Sequence, residues 1–375
     1  MQSRITMSKE KKKKTEKKQK ELLKYSVGND IGKDKFDACI SVIDSTQYVK
    51  IIATREFNIS KEGLKSYLSW VQRKCKLELP VVHIMEATGV YYEKLAWFLH
   101  RSQECLSVVL PNKSKKYLQS LGLKTKNDKI DAKGLSRMGA EQNLARWEAP
   151  DKQMIDLRSV TRQRESLQEA QTQFRNQLHA LKHGEFQNQL LITQQEALIA
   201  TLDEQIKKTT KMITELVEKD SEMKEKFEKI TAISGIGIIS LATVVAETNG
   251  FKLFHNQRQL VSYAGYDVIE NQSGKHVGKT KISKKGNAHI RRILHMPAFS
   301  VVTNNEPIFV NLYERVYFRT KQKMKGYVAV QRKLLVLIYT LWTKNEKYDR
   351  EYHLKKKQVE HPDMQSRSSS FRSVA

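Results

Sequence analysis

The chain has 375 residues, of which 39% are hydrophobic, enough for two or three domains that each bury a core. Lysine and arginine number 67 against 41 acidic residues, and the formal net charge of +26 predicts a polyanionic partner. No run approaches the roughly 18 consecutive apolar residues of a membrane span, and no apolar export signal follows the basic start, so a cytoplasmic nucleic-acid-binding protein is favoured. Cys39, Cys75 and Cys105 lack metal-binding spacing, which argues against a zinc site.

The first two segments differ sharply in composition. Residues 1–24 form a low-complexity basic run, which predicts a disordered arm; a solubility tail, or a translation start at Met7, is the alternative. Residues 25–148 alternate between strand-like and helix-like patterns in the order β-β-β-α-β-α-β-α. This order predicts a mixed α/β sheet with flanking helices.

Residues 149–229 are predicted to be almost wholly helical and to form a coiled-coil linker. Leu, Val, Arg, Leu, Gln, Phe, Leu and Leu recur in steps of three and four at positions 157, 160, 164, 167, 171, 174, 178 and 181. A break at His183-Gly184 precedes a second helical run, Gln194–Val217. The pattern is compatible with an antiparallel hairpin within one chain and with a dimerising coil between chains.

Residues 230–345 predict a third, mainly helical domain, followed by a loose polar tail at 346–375. A Gly235-Ile236-Gly237 turn enters the predicted helix Ile238–Glu247, where free backbone N–H groups suit a phosphate. A tight corner between helices is the alternative interpretation. The basic amphipathic stretch Arg315–Trp342 ends in an apolar run, which predicts a buried closing helix.

Four acidic residues stand out in the second segment because of their positions. Asp30 follows a strand-like run, and Glu86 ends an apolar strand. Asp128 and Asp131 are spaced i and i+3, so a helix would show both on one face. Clustered carboxylates repel one another, a cost that a divalent cation removes, and oxygen-only ligands favour Mg²⁺ or Mn²⁺. Two such ions would stabilise the attacking and leaving oxygens of a phosphodiester displacement.

Together these acids and their neighbours resemble the DEDD transposases of bacterial insertion sequences, also described as bridge-RNA-guided serine recombinases. The resemblance runs from about Ser26 to Lys344. Its N-terminal motifs are Asp30-Ile31-Gly32-Lys33, Glu86-Ala87-Thr88-Gly89 and Asn127-Asp128-Lys129-Ile130-Asp131-Ala132. It implies a RuvC-like, ribonuclease-H-like domain in which Asp30, Glu86, Asp128 and Asp131 are catalytic metal ligands.

The C-terminal half resembles the family's second domain, which carries a serine nucleophile. The motifs are the Gly-Ile-Gly turn, Leu260–Gly265, Gln272–Lys275, Ile282–Asn287 and Arg291-Arg292. Family members often have two adjacent serines before Gly-Lys, whereas this chain has Gln272 in the first place, so Ser273 is assigned the nucleophile's role. A serine ester stores the energy of the phosphodiester bond, so strands can be rejoined without ATP. Ser283 is the second candidate, although its position better fits a helix N-cap or a phosphate contact.

The resemblance also implies partners and an assembly. These are donor and target DNA, a structured guide RNA, and a dimer or tetramer in which the acids and the serine meet within a chain or between subunits. The residues expected to contact nucleic acid are Lys33, Lys126, Gly235, Gly237, Lys275, Lys279, Lys281, Lys284, Lys285, Arg291 and Arg292.

Two other functions fit parts of the pattern. A junction resolvase or nuclease of the RuvC type would use the four acids and a water molecule and would need no serine. A catalytically silent nucleic-acid scaffold would need only the positive charge.

Overall fold

The computed structural model describes residues 21–122, 127–270, 272–274, 276–278 and 280–352. The chain divides into two compact units, the first ending at Ala149 and the second beginning at Pro150. None of the helices in the described parts is long and apolar enough to cross a membrane.

The first unit is built on a five-stranded sheet with the spatial order β3-β2-β1-β4-β5. In chain order the strands are β1 (Leu22–Ile31), β2 (Lys35–Asp44), β3 (Val49–Asn58), β4 (Val81–Glu86) and β5 (Cys105–Val109). The first three strands are an antiparallel meander, β4 runs parallel to β1, and β5 runs parallel to β4. This is the strand order of a ribonuclease-H-like sheet, so the predicted α/β class is confirmed.

The start of β1 lies earlier than the composition indicated. Residues 22–24 are in the sheet, although they were predicted to belong to the disordered arm. The cause is pairing: Leu22 and Lys24 lie opposite Asp44 and Ile43 of β2, so the strand begins inside the segment that composition assigned to the basic arm. Residues 1–20 of the predicted arm lie outside the described residues.

Four helices flank the sheet: α1 (Lys61–Lys74), α2 (Glu93–Arg101), α3 (Pro111–Ser120) and α4 (Asp128–Glu141). Helix α1 starts at Ser60, whose hydroxyl accepts a hydrogen bond from the Gly63 amide at 3.1 Å. Its Tyr67 packs edge-on against Phe36 and Phe57 of the sheet. These aromatic rings fill the core on one face of the sheet, together with Leu95 and Leu99 of α2.

Helix α4 packs on the opposite face of β1, where the side chains are small. We call this contact the small-residue seam; its members are Ser26, Gly28, Ser41, Ser136 and Gly139. The Ser136 hydroxyl lies 2.9 Å from the Ser26 carbonyl and 2.6 Å from the Ser41 hydroxyl. A Cβ atom on Gly28 would overlap backbone atoms of Ala132 and Ser136, and one on Gly139 would overlap the Ser26 hydroxyl. The helix therefore lies against the strand nearly backbone to backbone.

Replacing Gly28 by alanine should loosen the first unit. The new methyl group would meet backbone atoms of α4, which cannot rotate away, so the helix must shift. Overpacking of this kind costs about 1–3 kcal/mol, and urea unfolding with Gly184→Ala as the matched control would measure it. Gly184 is exposed, has φ −73° and has room for a methyl group, so its substitution should change stability by less than about 0.5 kcal/mol. Equal stability of the two variants would contradict the close contact.

The second unit begins with a helical hairpin made of α5 (Lys152–His183) and α6 (Gln189–Glu218). The two helices contact one another within the chain, as in the first of the two predicted alternatives. Arg164 and Gln171, the two polar residues in the predicted coiled-coil pattern, both have partners on α6. Arg164 Nε donates to the Thr210 hydroxyl at 2.8 Å, and Gln171 donates to Asp203.

Seven shorter helices and two small hairpins complete the second unit. The helices are α7 (Ser221–Thr231), α8 (Ile238–Glu247), α9 (Gln257–Tyr263), α10 (Ala288–Ile293), α11 (His295–Thr303), α12 (Pro307–Thr320) and α13 (Lys323–Lys344). Strand β6 (Val268–Ile269) pairs with β9 (Lys281–Ile282), and β7 (Gln272–Ser273) pairs with β8 (His276–Val277). The core joins Leu157 and Ile213 of the hairpin to the apolar end of α13, so the base of the hairpin is part of this unit's core.

The predicted closing helix is two helices. The stretch Arg315–Trp342 is interrupted at Lys321, which has φ +55° and ends α12. The interruption allows α13 to fold back against α12. One continuous helix was expected because the hydrophobic pattern does not reveal that Lys321 adopts a left-handed backbone conformation.

A buried ion pair ties the hairpin to the rest of the second unit. The Glu247 side chain at the end of α8 is 1% exposed. Arg162 of α5 binds both of its carboxylate oxygens, at 2.6 and 2.9 Å, and Asn287 at the start of α10 donates to Oε2 at 2.6 Å. Burial acts to raise the pKa of Glu247, but these hydrogen bonds outweigh it and lower the pKa.

Candidate active site

Asp30 lies near the C-terminal end of β1 on the face that α4 covers. The sheet register places it opposite Asp37 of β2. On the other side of β1, Asn29 pairs with Met85, so Asp30 and Glu86 occupy neighbouring positions at the ends of two parallel strands. Functional groups of open α/β sheets gather at this edge.

Glu86 is half-buried at the end of β4 and has one partner from α3. Its Oε2 accepts a hydrogen bond from the hydroxyl of buried Ser114 at 2.6 Å. That bond fixes one carboxylate oxygen and leaves the second available to another ligand.

Asp128 and Asp131 occupy the first turn of α4, as their spacing predicted. Asn127 caps the helix by accepting a hydrogen bond from the Ile130 amide at 2.9 Å. The positive end of the helix dipole favours acids at this position. Since Ala132 and Ser136 meet Gly28, the turn that precedes them lies beyond Gly28 in the direction of Asp30. The small-residue seam thus sets the distance between the two acids of α4 and Asp30.

The electrostatics of Asp30 reflect this convergence. Burial raises the pKa of its carboxyl from 3.8 to about 7, with further increases from the charges of Asp131, Asp128, Glu86 and Asp37, in that order. The three other predicted acids, together with Asp37, therefore all act on Asp30. A group with such a pKa is a candidate functional residue by its physical chemistry alone.

In the described residues, the acids are not close enough together to enclose a metal ion. Within the described part of the chain, no three Asp, Glu, His or Cys side chains are grouped closely enough to hold a metal ion. The like charges repel one another, and only a counter-ion would draw the oxygens together. The donor set fits Mg²⁺, because it consists of carboxylate oxygens and because burial and then the charges of the neighbouring acids raise the pKa of Asp30.

Asp37 is a fifth carboxylate that the sequence analysis missed. It is 8% exposed, and burial raises its pKa, with a further increase from Glu56 and an opposing effect from Lys129. The signal was available: the Gly32-Lys33-Asp34 turn makes β2 fold back on β1, and counting from that turn places position 37 opposite position 30.

Ser273 lies in the second unit, on the exposed β7–β8 hairpin. It pairs with His276 across the hairpin, and Gly274 follows with φ +55°, a conformation that glycine adopts without strain. Ser273 is therefore an exposed residue next to a tight turn. Lys275 and Lys279, and Lys126 of the first unit, lie outside the described residues.

The predicted nucleic-acid contacts fall into two groups. Arg291 donates to the carbonyls of Ala264 at 2.8 Å and Asn287 at 3.2 Å, and Arg292 forms ion pairs with Glu165 and Glu169 of α5. Both guanidinium groups thus have partners within the second unit. The remaining described lysines are exposed, namely Lys33, Lys281, Lys284 and Lys285.

Two local expectations changed in the structure. Gly235 has φ +100°, and a Cβ there would lie 2.8 Å from the Ser300 Cβ of α11, so this glycine forms a tight helix corner. Gly237 is exposed at the start of α8, with room around it. Ser283 is not an N-cap: its amide donates to the Asp267 carbonyl at 2.7 Å, and the cap of α10 is Asn287.

Two regions of the chain match transposase models. Residues 27–187 match the model of DEDD transposases of the IS110 type, and residues 227–314 match the model described as Transposase IS116/IS110/IS902 family. The fold and the matched regions define a DNA transposase. The chain belongs to the IS116/IS110/IS902 family of insertion-sequence transposases.

Relatives match over most of the chain. The pilin gene-inverting protein of Moraxella bovis is 29% identical over 334 residues, which cover 88% of this chain and 100% of that protein. The transposase for insertion sequence element IS1111A of Coxiella burnetii is 25% identical and covers 86% of this chain and 90% of its own. Among solved structures, Thermus thermophilus RuvC aligns with 33% of this chain and 99% of its own, at 12% identity and a TM-score of 0.26.

Proposed function

We propose that this transposase cuts and rejoins DNA strands through a covalent phosphoserine intermediate. Asp30, Glu86, Asp128 and Asp131 hold Mg²⁺ or Mn²⁺, and Ser273 is the nucleophile. The observation that supports this best is the effect of three other carboxylates on Asp30, which accompanies a pKa of about 7. A fold tolerates such a concentration of charge when a cation occupies it in the working state.

If these four acids held Mg²⁺ or Mn²⁺, the ion would offset the negative charge of the phosphate oxygens. The chain's own residues orient the site. Ser114 fixes Glu86, and the small-residue seam fixes the start of α4, which carries Asp128 and Asp131. Asp30 itself is partly buried. Asp37 adds negative charge beside Asp30 and would strengthen cation binding there.

The covalent step balances without an external energy source. The Ser273 oxygen forms a bond to phosphorus, one P–O bond of the DNA strand breaks, and the leaving hydroxyl takes up a proton. In the reverse step the hydroxyl of another strand attacks the phosphoserine, and Ser273 departs and regains its proton. One phosphodiester is thus exchanged for another.

The proposed partners follow from the family resemblance. Donor and target DNA are recognised by a structured guide RNA, and the chain acts as a dimer or tetramer. The charge of +26 supports backbone contacts with both nucleic acids, because phosphate binding needs many cations and no base-specific side chains. Sequencing of RNA that copurifies with the protein tests the guide: a single structured species is expected, and random cellular RNA would contradict it.

Ser273→Ala tests the nucleophile. The wild-type protein, incubated with Mg²⁺, copurified RNA and a plasmid that carries the element, should form a protein–DNA adduct that survives denaturing electrophoresis. Ser273→Ala should form none, because Ser273 is the only residue with a hydroxyl side chain in the sequence from Glu270 to Lys279. Ser283→Ala is the matched control, since its hydroxyl contacts the Gly265 carbonyl and the Lys285 amide and should be dispensable for the adduct.

The same experiment separates the rival functions. Cleavage that continues in Ser273→Ala without any adduct would indicate a nuclease that uses water. An adduct lost in Ser283→Ala and kept in Ser273→Ala would transfer the nucleophile's role to Ser283.

A further inference from the structure

The second unit contains a groove that the proposed chemistry does not use. We call it the α12–α13 groove; it is a cavity of about 610 Å³ between those two helices and the β6–β9 hairpin. Its volume is in the range of pockets that hold small organic groups. The buried Tyr266 contributes to its lining, and its hydroxyl donates to Gln331 at 2.9 Å.

The lining of the groove is aliphatic. It includes Ile282, Leu312, Val316 and Ala329. Two apolar side chains of the lining stay half exposed, Val268 at 55% and Met324 at 56%. Apolar surface left uncovered in this way is typical of a binding site.

The same groove is strongly basic. Its lining includes Lys281, Arg319, Lys325, Arg332 and Lys333, and none of the described lining residues is acidic. Among the described residues, none of these five cations has an ion-pair partner. An occupant must therefore combine a flat or apolar group with several negative charges beside it.

We propose that the α12–α13 groove holds an unstacked base of the DNA strand that is cut, with the cations bound to the adjacent phosphates. This inference rests on the proposed role of Ser273. Strands β6 and β9 line the groove, and the segment between them, residues 270–280, carries Ser273. A strand that reaches Ser273 therefore passes the groove, and single-stranded DNA exposes both base faces and phosphates.

Charge argues against other occupants. The terminal segments outside the described residues, 1–20 and 353–375, both carry more cations than acids, and so does a second copy of the chain at +26. A cationic groove repels all three. A duplex keeps its bases stacked and offers the groove only phosphates.

The test compares two single strands that differ by one base. One is a twelve-nucleotide DNA strand with 2-aminopurine between two adenines, and the other has an abasic site at that position. With full-length Ser273→Ala protein, in which no covalent step occurs, the base-bearing strand should bind about tenfold more tightly. Its 2-aminopurine fluorescence should rise as the base leaves the stack.

Two variants locate the effect. Ala329→Trp fills the groove and should reduce the ratio of the two affinities to about one, with a thermal melt as the check of folding. Arg319→Gln should weaken binding of both strands, whereas Arg315→Gln should not. Both arginines are exposed on α12, and only Arg319 lines the groove.

Equal affinity for the two strands, or an unchanged ratio in folded Ala329→Trp, would overturn the proposal. A ratio that appears only with the matching RNA strand would assign the groove to RNA and overturn the DNA proposal. A change of oligomeric state in Ala329→Trp with no base effect would assign it to a second copy. Since binding is measured without the serine, these outcomes are independent of whether Ser273→Ala abolishes the adduct.

Discussion

Replacing Asp30 by asparagine should make the protein more stable and less active at once. A carboxyl whose pKa is raised in the folded state holds its proton more tightly there than in the unfolded chain. The free energy of unfolding therefore decreases as pH rises from about 4 to about 7, because Asp30 loses its proton less readily in the folded state. Above pH 7 Asp30 destabilises the folded state by the full amount. The displacement of the pKa from 3.8 to about 7 corresponds to roughly 4 kcal/mol.

Asp30→Asn should thus be more stable than wild type at pH 8 without divalent ions, by up to that amount, and equally stable at pH 4. Mg²⁺ should raise the melting temperature of the wild-type protein at pH 8 and have a smaller effect on the variant. Asp34→Asn is the matched control, because Asp34 is exposed in the turn that follows β1 and carries the same charge. The cation site would be contradicted if Mg²⁺ did not change the melting temperature of the wild-type protein and if Asp30→Asn were no more stable than wild type.

The activity of Asp30→Asn should change in the opposite direction. Loss of one of the four carboxylates proposed to hold the ion should reduce strand cleavage by about a thousandfold, the equivalent of about 4 kcal/mol of transition-state stabilisation. Gel-based cleavage at saturating Mg²⁺ measures this effect. A more stable protein that is also inactive cannot be explained by misfolding.

Arg162→Met should be among the most destabilising single changes in the second unit. It would leave the buried Glu247 carboxylate without its bidentate partner, and breaking a buried pair on one side costs about 3–5 kcal/mol. Lys208→Met is the control: Lys208 and its partner Glu204 are both more than half exposed, so less than about 1 kcal/mol is expected.

The double variant Arg162→Met with Glu247→Gln should recover part of the loss, because no uncompensated charge remains. pH gives a second check. The lowered pKa of Glu247 in the wild-type protein means that the pair stabilises the fold above pH 4.5, and that this contribution is lost as pH falls through the folded-state pKa. The difference in free energy of unfolding between wild type and Arg162→Met, measured with urea, should therefore become smaller at acidic pH. A gap that is independent of pH would show that packing, and not charge, makes Arg162 important.

The sheet could be predicted from the sequence because its turns and apolar runs are local. Glu86 was predicted to end an apolar strand and is the last residue of β4, and α8 was predicted at Ile238–Glu247 and occupies those residues. The spacing of Asp128 and Asp131 likewise predicted one helix face, and both lie in the first turn of α4.

Other features depend on contacts that no local pattern records. The small-residue seam brings α4 onto β1, yet Ser26, Gly28 and Gly139 are unremarkable in sequence. The internal roles of Arg291 and Arg292 depend on carbonyls and acids distant in the chain, at Ala264 and Glu165.

The closeness of α4 to β1 also has a practical meaning for attempts to reprogramme this enzyme. Any side chain larger than the present glycine or serine along that contact would push α4 away from β1 and displace the proposed catalytic acids. Libraries intended to change which sequences are joined should leave those five positions fixed and concentrate diversity on the second unit.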